Sequence, residues 1–161
     1  MRKAAVLLAF LMLVLPLLAA GCARITEPAS AQVLLGARTV TAGSQLTGRV
    51  VVDNHSGHAL HVRGCDSLAV IVTLSSRRYH PALAAPSCAG TVTIPAGRSV
   101  YPVKVLASYL SCSVGHADGG LPECGSGDAL PPLPAGTYQA TLGGITGVAA
   151  PPPVDIRVTR P

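Results

Sequence analysis

Leu46-Thr-Gly-Arg-Val-Val-Val-Asp53 runs directly into Asn54-His-Ser-Gly57, and this stretch decides the fold. Leu46, Gly48, Val50 and Val52 fall on one face, and Thr47, Arg49, Val51 and Asp53 on the other. That is the period of two expected of a strand with one buried and one wet side. The residues that follow are turn formers: Asp, Asn and Ser side chains bond to nearby backbone, and Gly accepts positive φ. His58–Arg63 then reads as the return strand.

Working outward, the same grammar repeats. Val33–Val40 is an apolar run interrupted by Gly36, and Leu68–Leu74 is rich in β-branched residues. Thr91–Ile94 and Ser99–Leu106 are separated by Pro95-Ala-Gly97, whose spacing fits a tight turn. The phrase returns at Pro134-Ala-Gly136 before Thr137–Leu142, and Pro151-Pro-Pro153 precedes Val154–Val158. Seven or eight short strands, with no helical stretch beyond the N-terminal apolar segment, predict an all-β chain, an antiparallel β-sandwich of about seven strands over residues 32–161.

The N-terminus carries a different signal. Arg2 and Lys3 precede an uncharged run from Ala4, and Ala19-Ala-Gly21 leads to Cys22. Small residues suit the narrow site of a signal peptidase, and the Cys22 thiol is the acceptor of a lipid chain. Residues 1–21 therefore read as a lipoprotein signal peptide and 22–31 as the lipidated cysteine and tether. The address is the outer face of the cell membrane. Two alternatives compete: plain secretion with cleavage after Ala20 or Gly21, and a retained helix. The run is at the low edge of the roughly 20 residues that span a bilayer, contains Pro16, and has no basic stop-transfer cluster after it.

Composition narrows the function classes. Net charge is +5; without Arg2 and Lys3 it is +3, spread thinly, with Arg77-Arg78 the single adjacent basic pair outside the signal. There is no Trp and the one Phe, Phe10, lies in the signal. A nucleic-acid binder needs a clustered basic patch and stacking aromatics, so nucleic acid is not an expected partner. Of five cysteines, Cys22 goes to lipid. Cys65, Cys88, Cys112 and Cys124 make an even set for two disulfides, with three pairings open. Local loop closure favours Cys65–Cys88 and Cys112–Cys124, which chain entropy values at about 3.4 and 2.9 kcal/mol. None of the four falls in a C-x2-C pair, which argues against zinc.

Pro134-Ala-Gly-Thr-Tyr138, followed by alternating Ala140 and Leu142, resembles the turn and late strand of bacterial immunoglobulin-like modules. The resemblance implies that Tyr138 anchors a corner through its hydroxyl. The antibody pattern of two distant cysteines with a Trp between them is absent, so the likeness is one of architecture. Asn54-His-Ser-Gly-His-Ala-Leu-His-Val62 with Gly64-Cys65, and Ala107-Ser-Tyr-Leu-Ser-Cys112, are similar to stretches of small actinobacterial lipoproteins of the mycobacterial type. That likeness implies a fold and an address and carries no activity.

Candidate sites remain. His55, His58 and His61 are the sharpest metal candidates, as three imidazoles suit zinc or copper. Their spacing opposes this, since His58 and His61 point to opposite faces of a strand and His55 lies in the turn. His80 and His116 contribute only if folding brings them near. Asp118, Glu123 and Asp128 offer oxygen ligands for calcium but match no calcium-loop spacing. They sit in a long segment between Ala107 and Pro134, clasped by Cys112–Cys124. Long loops are functional or disordered, and a disulfide opposes disorder. The loop is therefore the expected recognition surface for another envelope protein. Catalysis lacks a frame: there is no G-x-S-x-G elbow, and Gly143-Gly-Ile-Thr-Gly147 lacks the lysine of a phosphate cradle. The expectation is a non-enzymatic, membrane-anchored protein-binding module with no cofactor. The alternative is capture of a small molecule or metal ion at the His-rich turn.

Overall fold

The computed structural model describes residues 27–63, 70–81, 90–115 and 121–161. The fold is an all-β sandwich. One sheet has the order β7-β3-β1-β9 and the other β2-β10-β8-β5, with a two-stranded sheet of β4 and β6 beside them. The strands are β1 (Ala29–Leu35), β2 (Thr39–Thr41), β3 (Gln45–Asn54), β4 (Leu60–Arg63), β5 (Val72–Ser75), β6 (Thr91–Ile94), β7 (Gly97–Leu106), β8 (Gly136–Leu142), β9 (Val148–Ala149) and β10 (Val154–Thr159).

The alternation in β3 has the physical consequence its pattern requires. Leu46, Val50 and Val52 are buried in the core with Val33 of β1 and Val103 and Val105 of β7. Leu74, Tyr138, Ala140, Leu142, Ile156 and Val158 come from the facing sheet. Removing such side chains from water is the main favourable term in folding, about 1.5–3 kcal/mol for each fully buried Val, Leu or Ile. Val51 departs from the wet face assigned to it: it is buried, outside the main core, between Gln32 and Val100 of the flanking strands. Gly48, paired with Leu35 of β1, has no room for a side chain. A Cβ there would stand 2.7 Å from the Leu34 carbonyl oxygen and 2.7 Å from Leu35 Cδ2.

Several expectations are corrected. The sandwich is mixed rather than wholly antiparallel, because β9 joins β1 and β2 joins β10 in parallel register. The described residues form more strands than the expected seven or eight, partly because the Val33–Val40 run is two strands in two sheets. The Gly36 amide bonds to the Thr47 carbonyl at 3.0 Å, and the Arg157 amide to the Arg38 carbonyl at 2.8 Å, so the chain changes sheets between them. The first strand begins at Ala29, inside the stretch expected as tether.

The expected hairpin of β3 with the segment after it does not form. Both edges of β3 are taken, by β1 and β7, and β4 pairs with β6 instead. Pro95-Ala-Gly97 likewise closes no hairpin, since β6 and β7 have different partners; Gly97, at φ 82°, turns the chain between sheets. Asn54 fixes this corner. Its buried amide donates to the carbonyls of His58 (2.8 Å), Ile94 (3.3 Å) and Pro95 (3.1 Å), and its Oδ1 accepts from the Ser56 amide (3.1 Å) and hydroxyl (2.7 Å).

Candidate functional site

Residues 107–115 and 121–134 are paired with each other as a stem. Its root belongs to the core: Ala107 and Leu133 are fully buried. The Ala107 carbonyl accepts from the amides of Gly43 and Leu133, both at 2.9 Å. Further out, the Tyr109 amide bonds to the Pro131 carbonyl at 2.9 Å. The Ser113 amide bonds to the Pro122 carbonyl, and the Cys124 amide to the Ser113 carbonyl, each at 2.9 Å. Beside these bonds Cys112 and Cys124 are disulfide-bonded, with Cα atoms 5.0 Å apart. Pro131-Pro132-Leu133-Pro134 is thus a stiff returning arm pinned by Leu133. The stem exposes apolar side chains, with Val114 72%, Leu130 41% and Leu121 37% accessible.

Beside the root lies a groove of about 880 Å³. One wall is a tight hairpin in which Ser76 and Tyr79 exchange backbone bonds of 2.8 and 3.2 Å, leaving Arg77 and Arg78 exposed at the tip. Tyr79 packs edge-on against Tyr109 of the stem, with ring centroids 4.8 Å apart at 70°. Such an aromatic pair contributes about 0.5–1.5 kcal/mol beyond its buried area. The Leu110 amide donates to the Tyr79 hydroxyl at 3.0 Å, which fixes the stem against the hairpin. Tyr138 forms the floor, and its hydroxyl donates to the Pro134 carbonyl at 2.9 Å, the corner bond expected of it. Burial raises the Tyr138 hydroxyl above its ordinary pKa. Burial also raises that of Tyr79, against a smaller opposing contribution from the Leu110 bond. Gln139 and Asp155, which follow Ser75 in one row across β5, β8 and β10, also line the groove.

His55, His58 and His61 do not converge. His55 Nε2 lies 3.2 Å from the Ser30 hydroxyl, and its Nδ1 lies 3.6 Å from Asp53. His58 Nδ1 meets the Ser56 carbonyl at 2.9 Å, and His61 Nδ1 meets the Thr93 hydroxyl at 3.2 Å. His58 precedes β4 instead of lying on it. Among the described residues no three His, Cys, Asp or Glu side chains gather as a metal set. Of the acidic candidates, Glu123 sits opposite Ser113 on the stem. Asp128 follows Gly127 in a 3-10 turn at φ 59°, a left-handed conformation that Asp tolerates better than most residues. Cys22, Cys65, Cys88, His116 and Asp118 lie outside the described residues. No helix among the described residues is long and apolar enough to cross a membrane.

The groove was not among the expected sites. Its only local signal was the Arg77-Arg78 pair, and its tyrosines meet only through the tertiary fold. Comparison with protein-family models and with curated proteins gives no match.

Proposed function

We propose that this chain is a lipid-anchored, non-enzymatic envelope protein whose sandwich holds the clasped stem away from the membrane for another envelope protein to bind. The observation that carries this reading is the polarity of β3. At one end Ala29 of β1 pairs with Asn54; at the other, Leu106, just before the stem, pairs with Gln45. The His55 amide bonds to the Pro28 carbonyl at 2.9 Å, so the entering chain and the Asn54–His58 turn share one end. At about 3.3 Å per residue, β3 separates the two ends by roughly 30 Å. Residues 22–28 span at most about 25 Å when extended, less than the length of β3, so lipid on Cys22 holds the Asn54 end near the headgroups. Two or more acyl chains are needed for stable attachment.

A stem held by a disulfide, a core root and four backbone bonds loses little entropy on binding, while its exposed Val114, Leu121 and Leu130 offer apolar area to a partner. Within this reading the sandwich is immunoglobulin-like, supported by the passage of the chain from one sheet to the other between Gly36 and Arg38 and by the Tyr138 corner. The experiment is photo-crosslinking in intact cells from position 114 and, separately, from position 58. One dominant protein captured from 114 alone is the expected result. Equal capture from both, or none from 114 while the protein remains folded and anchored, overturns the reading.

A further inference from the structure

We propose that the groove between the Ser76–Tyr79 hairpin and the stem root seats an acidic, extended segment of the partner, with Arg77 and Arg78 pairing its carboxylates. The proposal rests on the protein-binding reading and adds the chemistry of the partner. Arg77 and Arg78 are exposed, and among the described residues neither makes an ion pair. Guanidinium groups are weakly hydrated, permanently charged forks that match carboxylate geometry. One opposing charge lines the groove, Asp155, so it carries two positive charges against one negative, with His80 neutral in that count.

The walls are set before any ligand arrives. The Tyr79 and Tyr138 hydroxyls are engaged by the Leu110 amide and the Pro134 carbonyl, so Tyr79 is a fixed apolar wall and Tyr138 a fixed floor while the arginines supply the charge recognition. A volume of about 880 Å³ is near the top of the range for small-molecule pockets, which are also more enclosed and more apolar. Long arginine side chains on adjacent residues reach carboxylates spaced along a chain. The position excludes the nearest competing anion. Ser75 pairs with Gln139 in the first half of β8, next to Pro134 and the stem; this is the end remote from Ala29 and therefore from the lipid phosphates of the protein's own membrane. An acidic protein segment approaching from beyond the membrane is the occupant that fits the charge and the place.

The test uses the full mature chain with the Cys112–Cys124 disulfide intact. The probes are a ten-residue peptide alternating Glu and Ser, the same peptide with Gln for Glu, and inorganic phosphate. Tyrosine fluorescence is a local reporter, since three of the four tyrosines line the groove and there is no Trp. The expected result is saturable binding of the acidic peptide that weakens at least tenfold in Arg77→Ala/Arg78→Ala and several-fold at high salt, with no binding of the Gln peptide. Failure of the acidic peptide to bind overturns the proposal, as does equal binding by the double variant or by the Gln peptide. Phosphate that binds as tightly and displaces the peptide makes this a point-anion site, and that also overturns it. Crosslinking from position 114 in the double variant separates the two ideas. Capture retained alongside a failed peptide titration leaves the stem as the binding surface and removes the groove. Loss of capture in the wild-type protein removes the reading on which the groove depends.

Discussion

Asn54 offers the sharpest stability prediction, because one small side chain holds three segments together. It is 3% exposed. Its amide serves the carbonyls of His58, Ile94 and Pro95, and its Oδ1 takes the Ser56 amide and hydroxyl. The Ile94 contact at 3.3 Å is the longest. Counting the other two amide bonds and the bond from the Ser56 amide at about 1 kcal/mol each gives a loss of about 3 kcal/mol for Asn54→Ala. Solvent reaches part of the turn and lowers this, while stranded buried carbonyls raise it, so the expected range is about 2–4 kcal/mol. Asn54→Asp is the informative companion. It keeps the acceptor but places a carboxylate against three carbonyl oxygens, which raises that carboxyl's folded pKa above the unfolded value near 3.9. A raised folded pKa means that the stability of the protonated form is present at low pH and lost as pH rises through the folded value. Urea unfolding followed by far-UV circular dichroism at pH 4 and pH 7 measures both variants. Asn54→Ala within 0.5 kcal/mol of wild type, or Asn54→Asp better tolerated at pH 7 than at pH 4, would refute the reasoning.

Other substitutions test other parts of the architecture. Replacing Cys112 and Cys124 by Ser opens a loop of sequence separation 12, with an expected loss of about 2–3 kcal/mol on the chain-entropy account and first proteolytic cleavage moving into the 107–134 segment. Tyr138→Phe keeps the buried ring and removes its bond to Pro134, so urea titration should show a loss of about 1 kcal/mol at neutral pH. The Tyr79 and Tyr138 hydroxyls are raised in the fold, so the stability of their protonated forms is complete below about pH 10 and falls as pH rises through the folded values. The wild-type urea midpoint should therefore drop above pH 10, and less steeply in Tyr138→Phe; identical slopes count against the buried hydroxyl. Gly48→Ala forces a methyl onto the Leu34 carbonyl and Leu35, and thermal unfolding should show about 1–3 kcal/mol of destabilisation.

What was legible in the sequence was local. The alternation from Leu46 to Asp53 gives β3 and its core face, the resemblance carried by Pro134–Tyr138 implies the corner, and the short separation of Cys112 and Cys124 favours their pairing. Each of these depends on residues close in the chain. The errors occur where a distant element decides. Val33–Val40 reads as one run because both halves are apolar, yet the chain passes from one sheet to the other between Gly36 and Arg38. The segment after Gly57 has the pattern of a return strand but finds both edges of β3 occupied. Val51 lies on the face that alternation assigns to water and is buried between flanking strands. The groove was the least legible feature: residues 77–79, 109, 138 and 155 share no local motif and meet only through strand pairing and the fold of the stem. The histidines at 55, 58 and 61 are close in sequence and were visible for that reason, but the corner that Asn54 builds gives each its own neighbours.

The central claim is that lipid on Cys22 and the clasped stem occupy opposite ends of the sandwich. The direct measurement is energy transfer from a headgroup-labelled bilayer to a dye at position 114 or position 56 of the lipidated protein in vesicles. The account predicts strong transfer at 56 and much weaker transfer at 114, corresponding to a difference in height of roughly 30 Å. Equal transfer at the two positions, stronger transfer at 114, or no vesicle association of the mature protein would contradict it.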